Sequence, residues 1–299
     1  MTKRLYKKSA PLVSIIIPTR NSIRTIEICL KSIRNQKYKQ SLNSPERKFK
    51  NLEIIVVDQE SKDGTQEIAK KYTNKVMVTK GDKFYSAPPV SRNMGAKISR
   101  GKYLLHIDSD MELTPLVVSK GVEIFESEPD ILALKIHEKD VGQGFWSRAK
   151  ILERKCYIGY DAIEAARFFR REVFFKLGGY DEKLRSSEDW DMSKRVNAVG
   201  KIDSIPLPYF TKHHLGRLKY LAQVKKKFNY GLTLDTFLTK HGFNFKKEFQ
   251  MVFRIAYFQN ILLFIKDPIA TLGFLILRPS ELTSYLTGLI WAKIKKIEI

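Results

Sequence analysis

The stretch RGKYLLHIDSD, residues 100–110, is the part of the sequence that decides the fold class. Its apolar centre, Tyr103–Ile107, has the length of a buried strand, and two carboxylates, Asp108 and Asp110, follow directly. Alternate residues of an extended chain point to the same side, so these carboxylates are expected together at the carboxyl end of the strand. That edge is where ligands bind in open α/β sheets. An isolated acidic pair usually belongs to a turn that ends a strand. This pair alone therefore does not indicate a ligand site, and other motifs in the chain are needed to support one.

Strand-like and helix-like segments alternate on both sides of this stretch. The predicted strands are rich in Val and Ile: Val13–Ile17, Leu52–Val57, Lys75–Val78, Tyr103–Ile107 and Ile131–Ile136. The predicted helices between them have apolar residues at helical spacing: Thr25–Asn35, Thr65–Tyr72, Val90–Ser99 and Pro115–Phe125. The alternation predicts a doubly wound, mostly parallel, Rossmann-like α/β sheet.

Three further segments lie between or after these elements. Lys37–Lys50 is polar and contains Pro45, which predicts an exposed excursion. Lys139–Lys150 combines glycines with aromatic residues, so we expect a surface loop, with a lid as the alternative. The Pro-rich Ile205–Phe210 is expected to be a late strand.

The composition limits the classes of function. The chain has 54 Lys and Arg against 32 Asp and Glu, a net charge of +22, which favours polyanionic partners such as nucleic acid, anionic lipid or phosphorylated substrates. The two cysteines, Cys29 and Cys156, have no metal-site spacing and fit a reducing compartment. The apolar run Leu12–Ile17 is too short for a signal-peptide core and is interpreted as the first strand, which favours a cytoplasmic location.

Three more polar residues follow a predicted strand or lie at the start of a predicted helix. Asp58 ends the second strand and could accept a hydrogen bond from a nucleobase ring N–H, or be an ordinary turn acid. Asp63, in the turn that follows, is expected to cap the next helix. Arg92 opens a later helix and could contact phosphate, or be a solvated surface cation.

The ordered set of motifs resembles glycosyltransferase family 2 over about residues 11–215. The matching segments are SIIIPTRN (14–21), VD (57–58) with SKDGT (61–65), SRNMGA (91–96), RGKYLLHIDSD (100–110), GGYDE (178–182) and EDWD (188–191). In one departure, the family often reads Val-Asp-Asp-Gly-Ser where this chain has Val-Asp-Gln-Glu-Ser at 57–61. That difference leaves uridine or guanosine open as the base.

The resemblance implies an inverting enzyme of the GT-A fold, which moves a sugar from a metal-bound nucleotide diphosphate, usually UDP, onto a hydroxyl of a glycan or lipid-linked acceptor. It implies a divalent cation, Mn²⁺ or Mg²⁺. It also implies these roles: Pro18, Thr19 and Asn21 line the nucleotide pocket, Asp58 holds the base, Arg92 lies near the ribose and diphosphate, Asp110 binds the metal with Asp108 assisting, Gly179 approaches the donor sugar, Asp189 is the general base, and His213 is a further metal ligand or phosphate contact.

Several of these roles have structural alternatives. On spacing alone, Asp189 is equally well an acid in the first turn of a helix, where negative charge complements the macrodipole. Gly179 with Gly178 could simply end a helix. His213 and His214 stand at a domain border, where a structural role is more common, and His106 within an apolar strand is expected to be a core residue.

Three other functions compete with sugar transfer to a hydroxyl. A dinucleotide-binding dehydrogenase needs a G-x-G-x-x-G turn after the first strand, and this chain has PTRN at 18–21 instead. A nucleic-acid-binding protein would fit the charge, but no known module of that class is present, so we expect no nucleic-acid partner. Within the enzyme class, a polyprenyl-phosphate acceptor is the alternative, because its phosphate is already ionised and needs no base.

The chain is expected to divide into a catalytic domain, 11–211, and a helical segment, 212–299. The first comprises a nucleotide-sugar half, 11–130, and an acceptor half, 131–211. The second carries 15 Lys and Arg against five Asp and Glu, together with long apolar runs.

Three apolar runs near the C-terminus, Ile255–Ile265, Pro268–Leu277 and Leu282–Ala292, are expected to be separate helices broken at Pro268 and Pro279. Each is shorter than the roughly 18 residues that span a bilayer. We expect them to lie on the cytoplasmic face of a membrane. Docking on the catalytic domain, a second subunit and a re-entrant hairpin stay open as alternatives.

Overall fold

The computed structural model of the protein describes residues 12–38, 45–80, 88–158, 164–184, 186–241 and 255–295. These residues form two compact units. The described parts of Met1–His137, Glu164–Glu182 and Asp189–Lys212 form the first unit, and those of Glu138–Ile163, Lys183–Glu188 and His213–Ile299 form the second. Each unit is built from three separate stretches of chain. The continuous domain boundaries of the sequence analysis stay predictions.

The strands, in chain order, are β1 (Val13–Thr19), β2 (Lys37–Tyr38), β3 (Arg47–Lys48), β4 (Leu52–Asp58), β5 (Val76–Val78), β6 (Tyr103–His106), β7 (Met111–Leu113), β8 (Ile131–Lys135), β9 (Glu138–Gly142), β10 (Ala166–Arg170), β11 (Lys201–Ser204) and β12 (Thr211–Gly216). The helices are α1 (Ile26–Arg34), α2 (Thr65–Lys70), α3 (Pro88–Ile98), α4 (Val117–Ser127), α5 (Phe145–Lys155), α6 (Arg171–Lys176), α7 (Glu188–Asn197), α8 (Tyr220–Gly231), α9 (Leu234–His241), α10 (Ile255–Gln259), α11 (Ile261–Lys266) and α12 (Pro268–Lys295).

The first unit is built on a seven-stranded sheet of order β11-β8-β10-β6-β1-β4-β5. Strand β1 pairs in parallel with β4 and β6, and β4 pairs in parallel with β5. Strand β10 is antiparallel to both of its neighbours, and β11 is parallel to β8. The predicted mixed α/β fold with a mostly parallel central sheet is therefore confirmed.

Strand β1 shows why the sequence folds this way. All seven of its residues are buried, as expected for a parallel strand covered on both faces. Side chains alternate between the faces, so Ile15 and Ile17 join one hydrophobic cluster and Ile16 joins the other. Helix α1 contributes Leu30 and Ile33 to the first cluster. The two clusters form the core on the two sides of the sheet.

The second unit is dominated by α12, a helix of 28 residues that packs against α5 and α8. Glycines permit the contact with α8. A Cβ added to Gly288 would lie 2.2 Å from the carbonyl oxygen of Phe228, and one added to Gly231 would lie 2.0 Å from that of Tyr285. The two backbones therefore approach too closely for any other residue at either position.

We expect Gly288→Ala to lower the free energy of unfolding by about 2 kcal/mol or more, since the added methyl group meets backbone that cannot rotate away. Urea denaturation followed by circular dichroism measures the change. Thr283→Ala is the matched control, because Thr283 is exposed on the same helix. Coincident unfolding curves for Gly288→Ala and Thr283→Ala would contradict the packing described above.

Two predicted elements were wrong. Lys139–Lys150 is not a loop or lid but β9 followed by α5. Its two glycines are required by the backbone geometry. A Cβ on Gly142 would lie 2.7 Å from the carbonyl oxygen of Gly216, and Gly144, just before α5, has a φ of 89°, which favours glycine. Ile205–Phe210 is not a strand, because β11 ends at Ser204 and the prolines that follow cannot donate to a ladder.

The prediction of separate C-terminal helices was also wrong in part. Pro268 is the first residue of α12, where proline is tolerated, but Pro279 lies inside the helix without ending it. Leu277 and Glu281, on either side of Pro279, are buried. Their packing offsets the backbone hydrogen bond that the proline cannot donate. A hairpin within Pro268–Ala292 is therefore excluded. Among the described residues, no helix has both the length and the hydropathy needed to cross a membrane.

Candidate active site

Six predicted site residues of the first unit lie at or just beyond the ends of three neighbouring strands, β1, β4 and β6: Pro18, Thr19, Asn21, Asp58, Asp108 and Asp110. Thr19, at the end of β1, is in register with Asp58 at the end of β4, and Ile16 is in register with His106 at the end of β6. The chain runs from β1 to β4 and β5 on one side and returns to β6 on the other side of β1. The carboxyl ends of β1 and β6 are therefore the switch point at which open α/β sheets bind ligands.

Asp58 is fully buried and organises the loop that follows β4. Its Oδ1 accepts hydrogen bonds from the backbone N–H of Ser61 at 2.8 Å and from Nε2 of Gln66 at 2.7 Å. Its Oδ2 accepts one from the Ser61 hydroxyl at 2.5 Å. A carboxylate has about four acceptor positions, so these three bonds leave room for one more donor.

The loops after β1 and β4 are joined to each other. Asn21, with a φ of 49°, accepts a hydrogen bond from the backbone of Lys62 at 3.0 Å, and its own N–H donates to the Ser61 hydroxyl at 2.7 Å. Gly64 is the N-cap residue of α2, and Asp63, predicted to cap the helix, lies one residue before it and accepts from the Thr65 N–H at 3.1 Å. Pro18 and Thr19 are buried in β1 beside this pair of loops, and the Thr19 hydroxyl has no hydrogen-bond partner within the described part of the chain.

The departure from the usual family motif has a structural consequence. Gln59, at the position where the family often has a second acid, is buried and donates a hydrogen bond from Nε2 to the Ser91 hydroxyl at 2.8 Å. Its backbone N–H donates to the carbonyl oxygen of Thr19. Gln59 thereby ties the end of β4 to β1 and to α3.

Asp108 lies between two arginines. Nη2 of Arg92 is 2.6 Å from one carboxylate oxygen, and Nη1 of Arg167 is 3.1 Å from the other. The side chains of Arg92 and Arg167 are 4% and 12% exposed, whereas that of Asp108 is 30% exposed. Arg92 also lies over the ring of Tyr180, 5.4 Å from its centroid. Two nearly buried guanidinium groups therefore converge on a carboxylate that solvent still reaches.

Arg167 was missed in the sequence analysis. It lies in β10, next to β6, in the segment ARFFR at 166–170. In the sequence, Arg167 stands between Ala166 and Phe168, which are both fully buried in the structure. A cation within an apolar segment requires a partner, and this pattern was the signal that could have pointed to Arg167.

The segment around Asp110 is fixed by neighbouring groups. The hydroxyls of Ser109 and Ser22 are 2.8 Å apart, and the Cys29 thiol donates to the carbonyl oxygen of Asp108 at 3.7 Å. Burial raises the pKa of Cys29, and the negative charges of Asp110 and Asp108 raise it further. Cys29 is therefore a neutral thiol of the core, close to both carboxylates.

His106 lies in the core, as predicted. It is fully buried and stacks on Phe174, with ring centroids 5.1 Å apart. Burial lowers the pKa of His106 well below its ordinary value, and the charges of Arg92 and Arg167 act in the same direction. Its imidazole is therefore neutral at physiological pH.

Gly179 lies in a loop that Asn93 fastens to α3. Oδ1 of Asn93 accepts from the Tyr180 N–H at 2.9 Å, and Nδ2 donates to the Tyr180 carbonyl oxygen at 2.8 Å. Gly179 has a φ of 72°, and a Cβ there would lie 2.7 Å from Oδ1 of Asn93. The glycine is required by this contact, and its predicted approach to a donor sugar stays a prediction.

Two acids of the motif at 188–191, Asp189 and Asp191, differ in burial and in hydrogen-bond partners. Asp189 is half-buried in the first turn of α7, and its Oδ1 accepts from the Trp190 N–H at 2.9 Å. Asp191 is fully buried and accepts from Nε and Nη2 of Arg195 at 2.9 and 2.6 Å. Arg195 in turn donates to the carbonyl oxygen of Gly179 at 2.8 Å. Asp191 is thus a structural residue, and both interpretations of Asp189 stay open.

His213 belongs to the second unit, where it lies in β12. Its Nδ1 is 2.9 Å from Oδ1 of Asp140, which also pairs with Arg154 at 3.4 Å. Burial acts to raise the pKa of Asp140, but the His213 hydrogen bond and the Arg154 charge bring it below its ordinary value. Asp140 is therefore ionised and orients the imidazole, while the predicted metal-ligand role of His213 stays a prediction.

A divalent cation at this site would need oxygen ligands from these side chains. Among the described residues, no group of three or more His, Cys, Asp and Glu side chains is placed to hold an ion. Hard cations such as Mg²⁺ usually bind through one or two carboxylates together with substrate phosphates, so Asp110 with a diphosphate fits. Asp108 fits less well as a direct ligand, because both of its oxygens face arginines.

Comparison with known proteins identifies the family. The model of "Glycosyl transferase family 2" matches residues 14–179, more than half of the chain. This chain belongs to glycosyl transferase family 2. It is an enzyme, a glycosyltransferase, and its fold is similar to GT-A glycosyltransferase structures.

Two curated relatives and one solved structure illustrate the similarity. An uncharacterized glycosyltransferase of Methanocaldococcus jannaschii is 28% identical over 306 residues, covering 97% of this chain and 96% of that protein. The UDP-Glc:alpha-D-GlcNAc-diphosphoundecaprenol beta-1,3-glucosyltransferase WfaP of Escherichia coli is 30% identical over 117 residues, 39% of this chain and 42% of that protein. The mannosyltransferase PcManGT of Pyrobaculum calidifontis, solved with GDP-Man and Mn²⁺, has a TM-score of 0.57 at 16% identity, covering 95% of this chain and 86% of that one.

Proposed function

We propose that this glycosyltransferase moves a sugar from a UDP-sugar to a hydroxyl of a glycan or lipid-linked saccharide, by a metal-dependent inverting displacement. The observation that carries the proposal is the convergence of acidic and cationic side chains at the switch point of the sheet, with Arg92 and Arg167 on either side of Asp108. UDP and a lipid-linked acceptor appear in the name of the relative WfaP. PcManGT was solved with Mn²⁺, but with GDP-Man.

The donor base would bind between the loops after β1 and β4. Asp58 has one acceptor position left beyond its three hydrogen bonds, which suits the ring N–H of uracil. Pro18 and Thr19 would pack against the nucleoside, and Asn21 would hold the loop in place through Lys62. The unpartnered Thr19 hydroxyl could then bond to the nucleotide.

Departure of the nucleoside diphosphate is the step that most needs stabilisation. Negative charge grows on the diphosphate as the sugar leaves, and groups already in position stabilise that charge without reorganisation. Arg92 and Arg167 would donate to the phosphate oxygens while Asp108 holds both guanidinium groups. Asp110 would hold the divalent cation, which supplies Lewis-acid stabilisation of the leaving oxygen.

The acceptor hydroxyl must lose its proton as it attacks. Asp189 would accept that proton as the general base, which requires a carboxylate within hydrogen-bond reach of the hydroxyl. Polyprenyl phosphate is the alternative acceptor, because an ionised phosphate oxygen attacks without a base. The effect of removing the Asp189 carboxylate separates the two acceptors.

We also propose that the enzyme works at the cytoplasmic face of a membrane and associates with it through the segment 251–299. The support is composition: the chain from Lys212 onward carries 15 basic against five acidic residues, and 251–299 itself carries six basic against three acidic residues together with long apolar runs. A lipid-linked acceptor would lie at that same surface.

Binding of UDP to the full chain, measured by calorimetry, tests the donor site. Arg167→Gln should weaken UDP binding at least tenfold, because a hydrogen bond to a charged group contributes about 1.5–3 kcal/mol. Binding of uridine, which lacks the phosphates, should not change. Arg148→Gln is the control, since Arg148 pairs with Asp267 in the second unit.

An unchanged UDP affinity in a folded Arg167→Gln protein would contradict the proposed role of Arg167. If the Gln variant fails to fold, Arg167→Lys keeps the charge and the pairing with Asp108 but loses the planar, forked geometry, and it should still weaken UDP binding relative to uridine. Absence of UDP binding by the unmodified protein, with GDP bound instead, would reject uridine as the base.

A further inference from the structure

The exposed face of α12 carries two groups of apolar residues, one in each half of the helix, separated by exposed Pro279 and Thr283. Within each group the residues recur every three or four positions, and the ten-residue step from Ile276 to Leu286 is about three helical turns, so both groups lie on one side of the helix. They are 43–70% exposed: Ile269, Leu272, Ile276, Leu286, Ile290 and Ile294. We call this set the α12 stripe. At 1.5 Å per residue, 28 residues span about 42 Å, which makes the stripe a long, narrow surface rather than a compact pocket.

The opposite face of α12 is the one that packs against α5 and α8. Its buried residues include Ala270, Gly273, Leu277 and Ala292. Glu281 is also on this face, 1% exposed, and its carboxylate is 3.1 Å from Nζ of Lys150 in α5. A polar contact of this kind between neighbouring helices is costly to carry into hydrocarbon. The helix is therefore suited to lie along a surface and not to cross a bilayer.

The last turn of α12 carries cationic and aromatic groups. Lys293 and Lys295 are exposed there; Nζ of Lys293 is 3.3 Å from Oδ1 of Asp235, and Nζ of Lys295 is 5.4 Å from the ring centroid of Trp291. Trp291 itself is 47% exposed. Amphipathic tryptophan rings favour the headgroup level of a bilayer, and each lysine near an anionic surface strengthens attachment.

We propose that the α12 stripe inserts, parallel to the membrane plane, into the outer part of a leaflet that contains anionic phospholipid. Charge complementarity selects this occupant over a second copy of the chain. The chain from Lys212 onward carries 15 basic against five acidic residues, so two copies would bring segments of like charge together, whereas anionic headgroups attract this segment. The proposal deepens the membrane location proposed above by naming the face and the lipid class.

The test uses the full chain and flotation with vesicles of phosphatidylcholine alone or with one quarter phosphatidylglycerol. We expect at least tenfold stronger binding to the anionic vesicles than to those of phosphatidylcholine alone. Salt at about 0.5 M should weaken that binding severalfold, because it screens the exposed charges. Leu272→Gln with Ile290→Gln should lower binding at least tenfold. The matched control is Val199→Gln with Leu207→Gln, two apolar residues exposed in the first unit.

Equal binding to both kinds of vesicle, or equal binding by the stripe and control variants, would overturn the proposal. So would a protein that stays unbound at low salt. A dimer in sedimentation velocity that becomes monomeric only in the stripe variant would assign the stripe to a second copy. UDP binding is measured on the same variants and should be unchanged, so a failure of the donor site is recognised separately.

Discussion

Asp110→Asn is expected to lower the rate of sugar transfer about 10³-fold, with the fold intact. The amide keeps the size of the side chain but is a much poorer ligand for a hard cation than a carboxylate. A cation at the leaving oxygen contributes several kcal/mol in the transition state, and each 1.36 kcal/mol is a factor of ten in rate. The measurement is the initial rate of transfer at several concentrations of Mn²⁺ and Mg²⁺.

Glu112→Gln provides the control for Asp110→Asn. Glu112 is two residues further along and pairs with Lys212 at 2.9 Å, so its loss removes a nearby carboxylate of different function. That variant should transfer sugar at close to the normal rate. If Asp110→Asn did the same, in buffer with or without chelator, the metal-dependent mechanism would have to be given up.

Asp189→Asn is the second change with a large expected effect. The amide cannot accept the hydroxyl proton, so transfer to a hydroxyl acceptor should fall about 10²–10⁴-fold. Binding of UDP and of metal should be unchanged. Transfer is measured by product formation, and donor binding by calorimetry on the same preparation.

The alternative role of Asp189 gives a different result. An acid in the first turn of α7 stabilises the helix by about 0.3–1 kcal/mol through the macrodipole. If that were its only function, Asp189→Asn would show a slightly lower stability and normal transfer. Normal transfer would also favour a phosphate acceptor. Asp203→Asn, at an exposed position in β11, is the control for a general effect of lost charge.

Five of the seven strands of the central sheet, β1, β4, β5, β6 and β8, could be predicted because they are largely apolar runs bounded by polar residues. The other two, β10 and β11, were not predicted, because charged residues interrupt their sequences, ARFFR and KIDS. Strand β1 begins at the predicted residue and is buried throughout. The same pattern gave the site residues that follow strands, such as Asp58 and Asp108. Their partners were harder to predict, because Arg167 reaches Asp108 from 59 residues away in sequence.

Other features depended on packing that no local pattern expresses. Gly142 and Gly144 suggested a loop, but one allows a close backbone contact and the other precedes α5. Pro279 suggested a break, but contacts on both sides keep α12 continuous. The motif at 188–191 gave no indication that Asp191 binds Arg195 while Asp189 stays half-buried.

The most direct test of the proposed activity is a screen of sugar nucleotides with the purified full chain, following release of free nucleoside diphosphate with and without Mn²⁺. The proposed function predicts release from at least one UDP-sugar, accelerated by a hydroxyl-bearing saccharide acceptor and abolished by chelator. Release that is indifferent to chelator, or confined to donors with other nucleotides, would contradict the proposal of a metal-dependent, UDP-sugar-dependent transferase.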